Sequence, residues 1–369
     1  MESYTDRERD EGYMRIALDL AKKGRGRVSP NPVVGAVIVR RDGTVIGEGY
    51  HERYGDLHAE RNALKNCTES PEGATMYVTL EPCCHHGKQP PCTDAILEAG
   101  IRRVVVGSGD PNPRVAGGGI RILKEHGVEV TEGILREDCD AANEIFFHYI
   151  RTGMPYVVMK YAMTLDGKIA AYTGASRWIT GEEARAYVQQ MRNDLSGIMA
   201  GIGTVLEDDP LLTCRLPDGV NPVRIICDTH LRIPLSSRIV ETAAEVPTII
   251  ATCSDDEETT ALLTKKGCRV LRVDRGGNKH LDLQDLMRKL GAEGIDSILL
   301  EGGGTLNWSA LESGIVHRVA AFISPKLFGG AGAKTPVGGQ GIADPSGAFP
   351  LRDVSIRRVG EDYLIEGRL

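Results

Sequence analysis

Apolar positions first fall into a period between residues 12 and 23, where Met14, Ala17, Leu20 and Ala21 recur at helical spacing and predict an amphipathic helix. Pro30 and Pro32 end it. The runs 33–39 and 44–49, joined through Asp42-Gly43, predict a hairpin with Asp-Gly at the turn. Beyond the hairpin the pattern alternates: helix 58–67, strand 76–80, helix 93–99, strand 103–107, helix 118–126, strand 128–131. Such alternation predicts a largely parallel sheet with helices on its faces. Arg151-Thr152-Gly153-Met154-Pro155 reads as a linker, and a second αβ series follows. Its strands are expected at 156–162, 197–200, 223–227, 247–251, 270–273, 297–300 and 319–323, and Gly329 to Gly341 reads as a glycine-rich loop. The expectation is an α/β protein of two domains, 1–150 and 151–369.

Length supports the division, because 369 residues exceed what one hydrophobic core usually organises. With 41% hydrophobic and 26% charged residues the composition is that of a globular enzyme, and no apolar run approaches the ~20 residues of a membrane span. The charged first ten residues lack a secretory apolar stretch, so a cytoplasmic protein is expected. Nine cysteines, an odd number without framework spacing, read as mostly reduced thiols. A net charge of −7 offers nucleic acid no general attraction and favours a small-molecule substrate. A homo-oligomer is expected, its order left open.

The cysteines between 83 and 92 carry chemistry. His58-Ala59-Glu60, then Pro82-Cys83 and Cys92, supply one imidazole, two thiolates and a carboxylate. Three N/S ligands leave a tetrahedral Zn²⁺ one open position for water, whose pKa the metal lowers from about 15.7 to about 7. In zinc deaminases that water attacks a carbon bearing an amino group while a non-ligand Glu shuttles protons, which is the role Glu60 fits. His58, Cys83 and Cys92 are therefore the candidate ligands. Eight residues lie between the cysteines where the general deaminase pattern has two. The rigid Pro90-Pro91 pair can return the chain so that Cys92 reaches the metal. Cys84, adjacent to Cys83, would point elsewhere. A closed structural zinc knot through His85 or His86 is the alternative, but it has no use for Glu60. His85 itself reads equally as a solvated residue or a substrate contact.

Pro30-Asn31-Pro32-Val33-Val34-Gly35, Gly49-Tyr50-His51, His58-Ala59-Glu60 and the run Thr79 to Cys92 together closely resemble the bifunctional deaminase/reductase family of riboflavin biosynthesis. The resemblance continues through Asp110-Pro111-Asn112-Pro113, Lys160, Thr164 to Lys168, Ser176 to Thr180, Asp208-Asp209-Pro210 and Glu301 to Thr305, nearly the whole chain. It implies a cytidine-deaminase-like αβα sandwich followed by a dihydrofolate-reductase-like domain. The first would deaminate a diaminopyrimidinone bearing a ribosylamino 5-phosphate, with Asn31, His51, His85 and Lys88 contacting that substrate. The second would use NADPH to open the ribose to ribityl by hydride transfer onto C1. Cys84 stands where the family usually has Ser, and Gln89 where it usually has Thr.

Carried over by position, Ala162, Trp178, Thr204, Asp208, Gly303, Gly304 and Thr305 resemble the NADPH site, and Lys160, Ser176, Arg192, Leu212, Arg215 and Glu301 the reductase substrate site. Glycines at 201–203 and 302–304 follow strands, where backbone N–H groups can bind phosphate, although neither segment is a GxGxxG fingerprint or a P-loop. Arg192 and Arg215 are suited to a bidentate grip on the sugar phosphate. Lys160 and Asp166 are candidates to organise or protonate the opening sugar, and residue type does not choose between these tasks. Two other readings compete: a nucleic-acid base deaminase, disfavoured by acidic charge and 5% aromatics, and a zinc-stabilised nucleotide sensor, which would leave Glu60 idle.

Overall fold

The computed structural model describes residues 4–277 and 280–369. Part of the charged opening stretch, residues 1–3, lies outside the described residues. The chain divides into two compact units, Met1–Gly153 and Met154–Leu369.

The first unit runs α1 (Tyr4–Lys22), β1 (Gly35–Val39), β2 (Val45–Tyr50), α2 (Ala59–Lys65), β3 (Thr75–Leu80), α3 (Cys92–Glu98), β4 (Arg103–Ser108), α4 (Gly118–Glu125), β5 (Glu129–Glu132), α5 (Arg136–Ala142) and α6 (Glu144–Thr152). Its sheet has the order β2-β1-β3-β4-β5. This sheet is mixed rather than largely parallel: β1 pairs antiparallel with both β2 and β3, while β3–β4 and β4–β5 are parallel. The hairpin reverses the chain once, and β1 then lies between a hairpin partner and the first strand of a parallel run. Strand alternation sends Val37, Val39, Tyr77 and Val105 toward Met14, Ala17 and Leu18 of α1, and Ala36, Ile38, Met76, Val78 and Val104 toward Ala63, Ile96 and Leu123 on the opposite face. Both faces are covered, so all five residues of β1 are buried. Close contact fixes α2: a Cβ on Gly49 would lie 2.2 Å from the Ala63 nitrogen, so only glycine lets that helix rest on β2.

The second unit runs β6 (Tyr156–Thr164), α7 (Glu182–Asp194), β7 (Gly197–Gly201), α8 (Ile202–Asp208), β8 (Val223–Cys227), α9 (Arg238–Glu241), β9 (Thr248–Thr252), α10 (Glu257–Lys265), β10 (Arg269–Arg272), α11 (Leu283–Ala292), β11 (Ser297–Leu300), α12 (Gly304–Glu312), β12 (Val316–Ser324), β13 (Arg352–Val359) and β14 (Asp362–Arg368). The nine strands order as β10-β9-β8-β7-β11-β6-β12-β14-β13. From β10 to β12 every pairing is parallel, and β14 and β13 add an antiparallel edge. That edge escapes the apolar pattern because β13 is almost wholly exposed. Arg224 on β8 is fully buried, and its guanidinium donates to Thr248 and Thr242 hydroxyls and to the Leu211, Ile239 and Val246 carbonyls. It thereby ties the loop before β8 to the strand. Among the described residues no helix is long and apolar enough to cross a membrane.

Candidate active sites

In the first unit His58 is the N-cap of α2, Glu60 lies in that helix's first turn, and Cys92 is the first residue of α3. Cys83 sits upstream of α3 and not at a helix start, but the Cys92 N–H points at its sulfur at 3.4 Å. Three donor atoms, from His58, Cys83 and Cys92, lie within 4.8 Å of one another. His58 Nδ1 is 3.5 Å from Cys83 Sγ and 3.4 Å from Cys92 Sγ. Tetrahedral ligands at the usual Zn–S and Zn–N distances would stand roughly 3.6 Å apart, so the donor set fits zinc. Neither Cys84 nor His85 nor His86 belongs to this group among the described residues, and Cys84 Sγ turns instead to the Arg114 carbonyl at 3.8 Å.

Glu60 is only 3% exposed, and burial pushes its carboxyl up from the ordinary value. His51 is equally buried, and burial lowers its imidazole pKa. Its Nδ1 lies 3.0 Å from the Leu57 carbonyl, which can only accept, so Nδ1 carries the proton and Nε2 accepts from the Asn31 amide at 3.1 Å. The Asn31 amide oxygen is left for a ligand. His85 Nδ1 is buried with no partner among the described residues. Lys88 Nζ stands 3.8 Å over the Tyr54 ring. Residue patterns did not reveal Glu81, whose buried carboxylate accepts backbone N–H groups of Gly117 at 3.0 Å, Gly119 at 3.1 Å, and Asp110 and Ile120 at 3.3 Å each. It binds the 110–120 segment to the cysteine turn. A Cβ on Gly119 would lie 2.0 Å from the Pro82 carbonyl, so that approach requires glycine.

In the second unit a cavity of about 1080 Å³ opens over the ends of the parallel strands. Lys160, Ala162, Ser176, Thr204, Asp208, Glu301, Gly303, Gly304 and Thr305 line it, whereas Trp178, Arg192, Leu212 and Arg215 do not. Gly201 and Gly303, the N-caps of α8 and α12, have no side chain to bond the first N–H groups of those helices, and both glycines line the cavity. Arg192 departs from the expected phosphate grip. Its Nε and Nη2 donate to Glu301 at 2.7 and 3.0 Å, and Nη1 to the Thr213 carbonyl at 3.0 Å. Lys160 Nζ reaches the same carboxylate at 3.3 Å. Burial alone would raise Glu301, but Lys160 and Arg192 overcome it and hold the carboxyl at about 2. Asp166 serves a turn: it accepts from Thr164 Oγ1 at 2.5 Å and from the Phe328 and Gly329 N–H groups. Trp178 is 63% exposed with the Arg185 guanidinium 4.6 Å over its ring. Arg215 is exposed, and Leu212 is buried in a left-handed conformation.

Comparison with known proteins follows the same division. The zinc-binding region of cytidine and deoxycytidylate deaminases matches residues 7–108, and the RibD C-terminal domain matches residues 155–365. The riboflavin biosynthesis protein RibD of Actinobacillus pleuropneumoniae is 56% identical over 357 residues, which is 97% of this chain and 94% of that protein. This chain belongs to the RibD family. The RibD of Escherichia coli is 40% identical over 96% of the chain. A crystal structure of a diaminohydroxyphosphoribosylaminopyrimidine deaminase/5-amino-6-(5-phosphoribosylamino)uracil reductase from Thermotoga maritima superposes with a TM-score of 0.88 at 40% identity, covering 98% of this chain and 99% of that one. RibD of Acinetobacter baumannii gives 0.87 at 34% identity.

As a RibD protein the chain is a bifunctional enzyme of riboflavin biosynthesis, with a zinc-binding deaminase domain and a reductase domain. Its reductase cavity also includes residues that motif reading passed over: Thr229, His230 and Arg232 beyond β8, and His280. One signal pointed to them, since Thr229 lies two residues past an expected parallel strand, and ligands of such sheets sit beyond strand C-termini.

Proposed function

We propose that the first unit hydrolytically deaminates 2,5-diamino-6-(5-phosphoribosylamino)pyrimidin-4(3H)-one and that the second reduces the ribosyl side chain of the product to ribityl with NADPH. The convergence of His58, Cys83 and Cys92 beside Glu60 carries the reading. His58, Cys83 and Cys92 would hold zinc, which when bound supplies Lewis-acid activation of water. Glu60 takes a proton from the attacking water and delivers it to the departing amine, so that water's oxygen replaces nitrogen on the ring and ammonia leaves. Neutral His51 and the Asn31 amide offer fixed hydrogen-bonding partners to the pyrimidine, His85 a further one, and Lys88 a cation for the phosphate.

For the second unit, distance along the sheet supports a dinucleotide. Lys160 and Ala162 lie on β6, the glycine turns follow β11 and β7, and Thr229 to Arg232 follow β8, three strand spacings of about 4.8 Å from β6. A nicotinamide cofactor, when bound, would supply hydride for C1 of the opened sugar, with the matching proton taken up from the medium. Thr204, Gly303, Gly304 and Thr305 would receive its phosphates, Ala162 and Asp208 would flank it, and Lys160, Ser176 and Glu301 would orient the sugar. Arg232, whose Nε also lies 3.9 Å from Asp228, offers the far end a guanidinium suited to a 2′-phosphate and His230 a hydrogen-bonding ring beside it, which favours NADPH over NADH. Arg192 braces Glu301, and exposed Arg215 remains the arginine suited to the sugar phosphate. Trp178, proposed for the cofactor, and Leu212, proposed for the substrate, lie outside the cavity lining. Thiolate ligands need reduced cysteines, which supports a cytoplasmic location.

The test is incubation of the full chain and zinc with the diaminopyrimidinone, without cofactor, with NADPH and with NADH. Mass analysis is expected to find the deaminated ribosylamino product alone in the first case and the ribitylamino product with NADPH. Reduction before deamination, or none with NADPH, sinks the two-step reading. We further propose a homo-oligomer, supported by the free edge strand β13, where Val354 and Ile356 are 51% and 67% exposed. Sedimentation should give a multiple of 39.9 kDa, and Ile356→Glu should lower it. A monomeric wild type refutes the association.

A further inference from the structure

We infer that Arg61 is a positioning residue of the deaminase metal centre, clamping the inserted loop that brings Cys92 to the metal. The inference rests on the reading of His58, Cys83 and Cys92 as ligands. Arg61 follows Glu60 in the first turn of α2, the helix that His58 caps. Its Nε donates to the Pro90 carbonyl at 3.3 Å and its Nη2 to the Pro91 carbonyl at 2.7 Å. Those two peptides are the last before Cys92.

The loop has need of such a hold. Eight residues between the cysteines, rather than two, leave more conformations in which Cys92 misses the metal. Pro90 and Pro91 have no N–H and cannot be tied through their own donors. Elsewhere in the loop, Gly87 N–H reaches the Gln89 carbonyl, Gln89 Nε2 reaches the Gly55 carbonyl at 3.0 Å, and Cys84 Sγ turns to Arg114. Among the described residues none of these touches the Pro90 or Pro91 carbonyl, and the Cys92 and Thr93 N–H groups, which reach the Cys83 carbonyl at 3.0 and 3.2 Å, join the two cysteines to each other but not to α2. The Arg61 fork therefore fastens the approach to Cys92 onto the helix that carries His58 and Glu60, so the first ligand, the proton carrier and the last ligand keep one geometry.

An ordinary helix arginine would turn to water or to a carboxylate. Arg61 instead spends two donors on successive backbone carbonyls, a planar grip that the single ammonium of lysine does not reproduce. Supporting groups of this kind characteristically change metal affinity by about 10- to 100-fold when removed.

Arg61→Ala and Arg61→Lys in the full chain test the assignment. Zinc affinity and release are measured by competition with a chromophoric chelator, loop mobility by tryptic cleavage after Lys88, and ammonia release with and without added zinc. Arg61→Ala is expected to bind zinc about 10- to 100-fold more weakly. It should also be cut faster after Lys88 and recover ammonia release when zinc is added, with Arg61→Lys intermediate. A merely structural or substrate-binding role would not be rescued by zinc. Should the alanine variant not fold, the lysine variant decides by the same measurements. Zinc affinity within twofold of wild type together with unchanged cleavage overturns the inference, whereas a wild-type chain that binds no zinc overturns the ligand assignment beneath it.

Discussion

Glu60→Gln is expected to cut ammonia release by about 10²- to 10⁴-fold, the range associated with loss of a positioned proton carrier. The substitution keeps size and shape, and a neutral amide imposes no new charge on a site that leaves Glu60 only 3% exposed. His58, Cys83 and Cys92 retain their donor atoms, so the variant should hold one zinc as the wild type does. NADPH-dependent reduction of substrate already deaminated should continue, because that chemistry belongs to the other unit. The combination is diagnostic. Lost ammonia release with retained zinc assigns the proton transfers to Glu60, whereas lost zinc would mean that the carboxylate supports the metal. Activity within tenfold of wild type with zinc bound would rule Glu60 out as the proton carrier.

Glu301→Gln should destabilise the second unit by about 3–5 kcal/mol at neutral pH and abolish its reductase step. The carboxylate receives Arg192 at 2.7 and 3.0 Å and Lys160 at 3.3 Å, and Arg192 is 9% exposed. Removing the negative charge leaves two enclosed cations facing each other. The pH dependence has a definite sign. The folded-state carboxyl titrates at about 2, below its ordinary 4.5, so its stabilisation is fully present above 4.5 and is lost as pH falls toward 2. The stability gap between wild type and variant should therefore narrow between pH 5 and 2. Both tryptophans, Trp178 and Trp308, lie in the second unit, so urea unfolding followed by their fluorescence reads that unit directly. A gap below 1 kcal/mol at neutral pH, or one that widens on acidification, would contradict the triad's assigned role.

The deaminase centre was legible because its chemistry dictates residue types at short spacings. A thiolate ligand must be cysteine, and His58 caps the helix whose first turn holds Glu60. Arg61 and Glu81 were not legible, because an arginine on a helix and a glutamate beside a proline have many uses. Only their acceptors and donors, the Pro90 and Pro91 carbonyls and the N–H groups of the 110–120 segment, reveal what they do. The same applies to Arg192. Its residue type suits a phosphate, but the fold brings Glu301, just past β11, against its guanidinium on α7.

Apolar periodicity was enough for the alternating helices and strands between residues 58 and 132, since burial of one face imposes the period whatever the partner, but it passed over α5, β14 and α6, whose last turn takes in Arg151 and Thr152 of the expected linker. It did not predict that β1 runs antiparallel to β3, because direction depends on which strands become neighbours and not on any residue within them. Nor did it predict β13, whose residues face solvent and carry no burial signal. By itself the sequence determined two α/β units and a candidate set of zinc donors with a carboxylate close by in the chain, all properties of residue identity and local spacing. Tertiary structure alone decided which charged groups are already engaged with one another and which remain for a ligand, because that depends on distances between elements far apart in the chain.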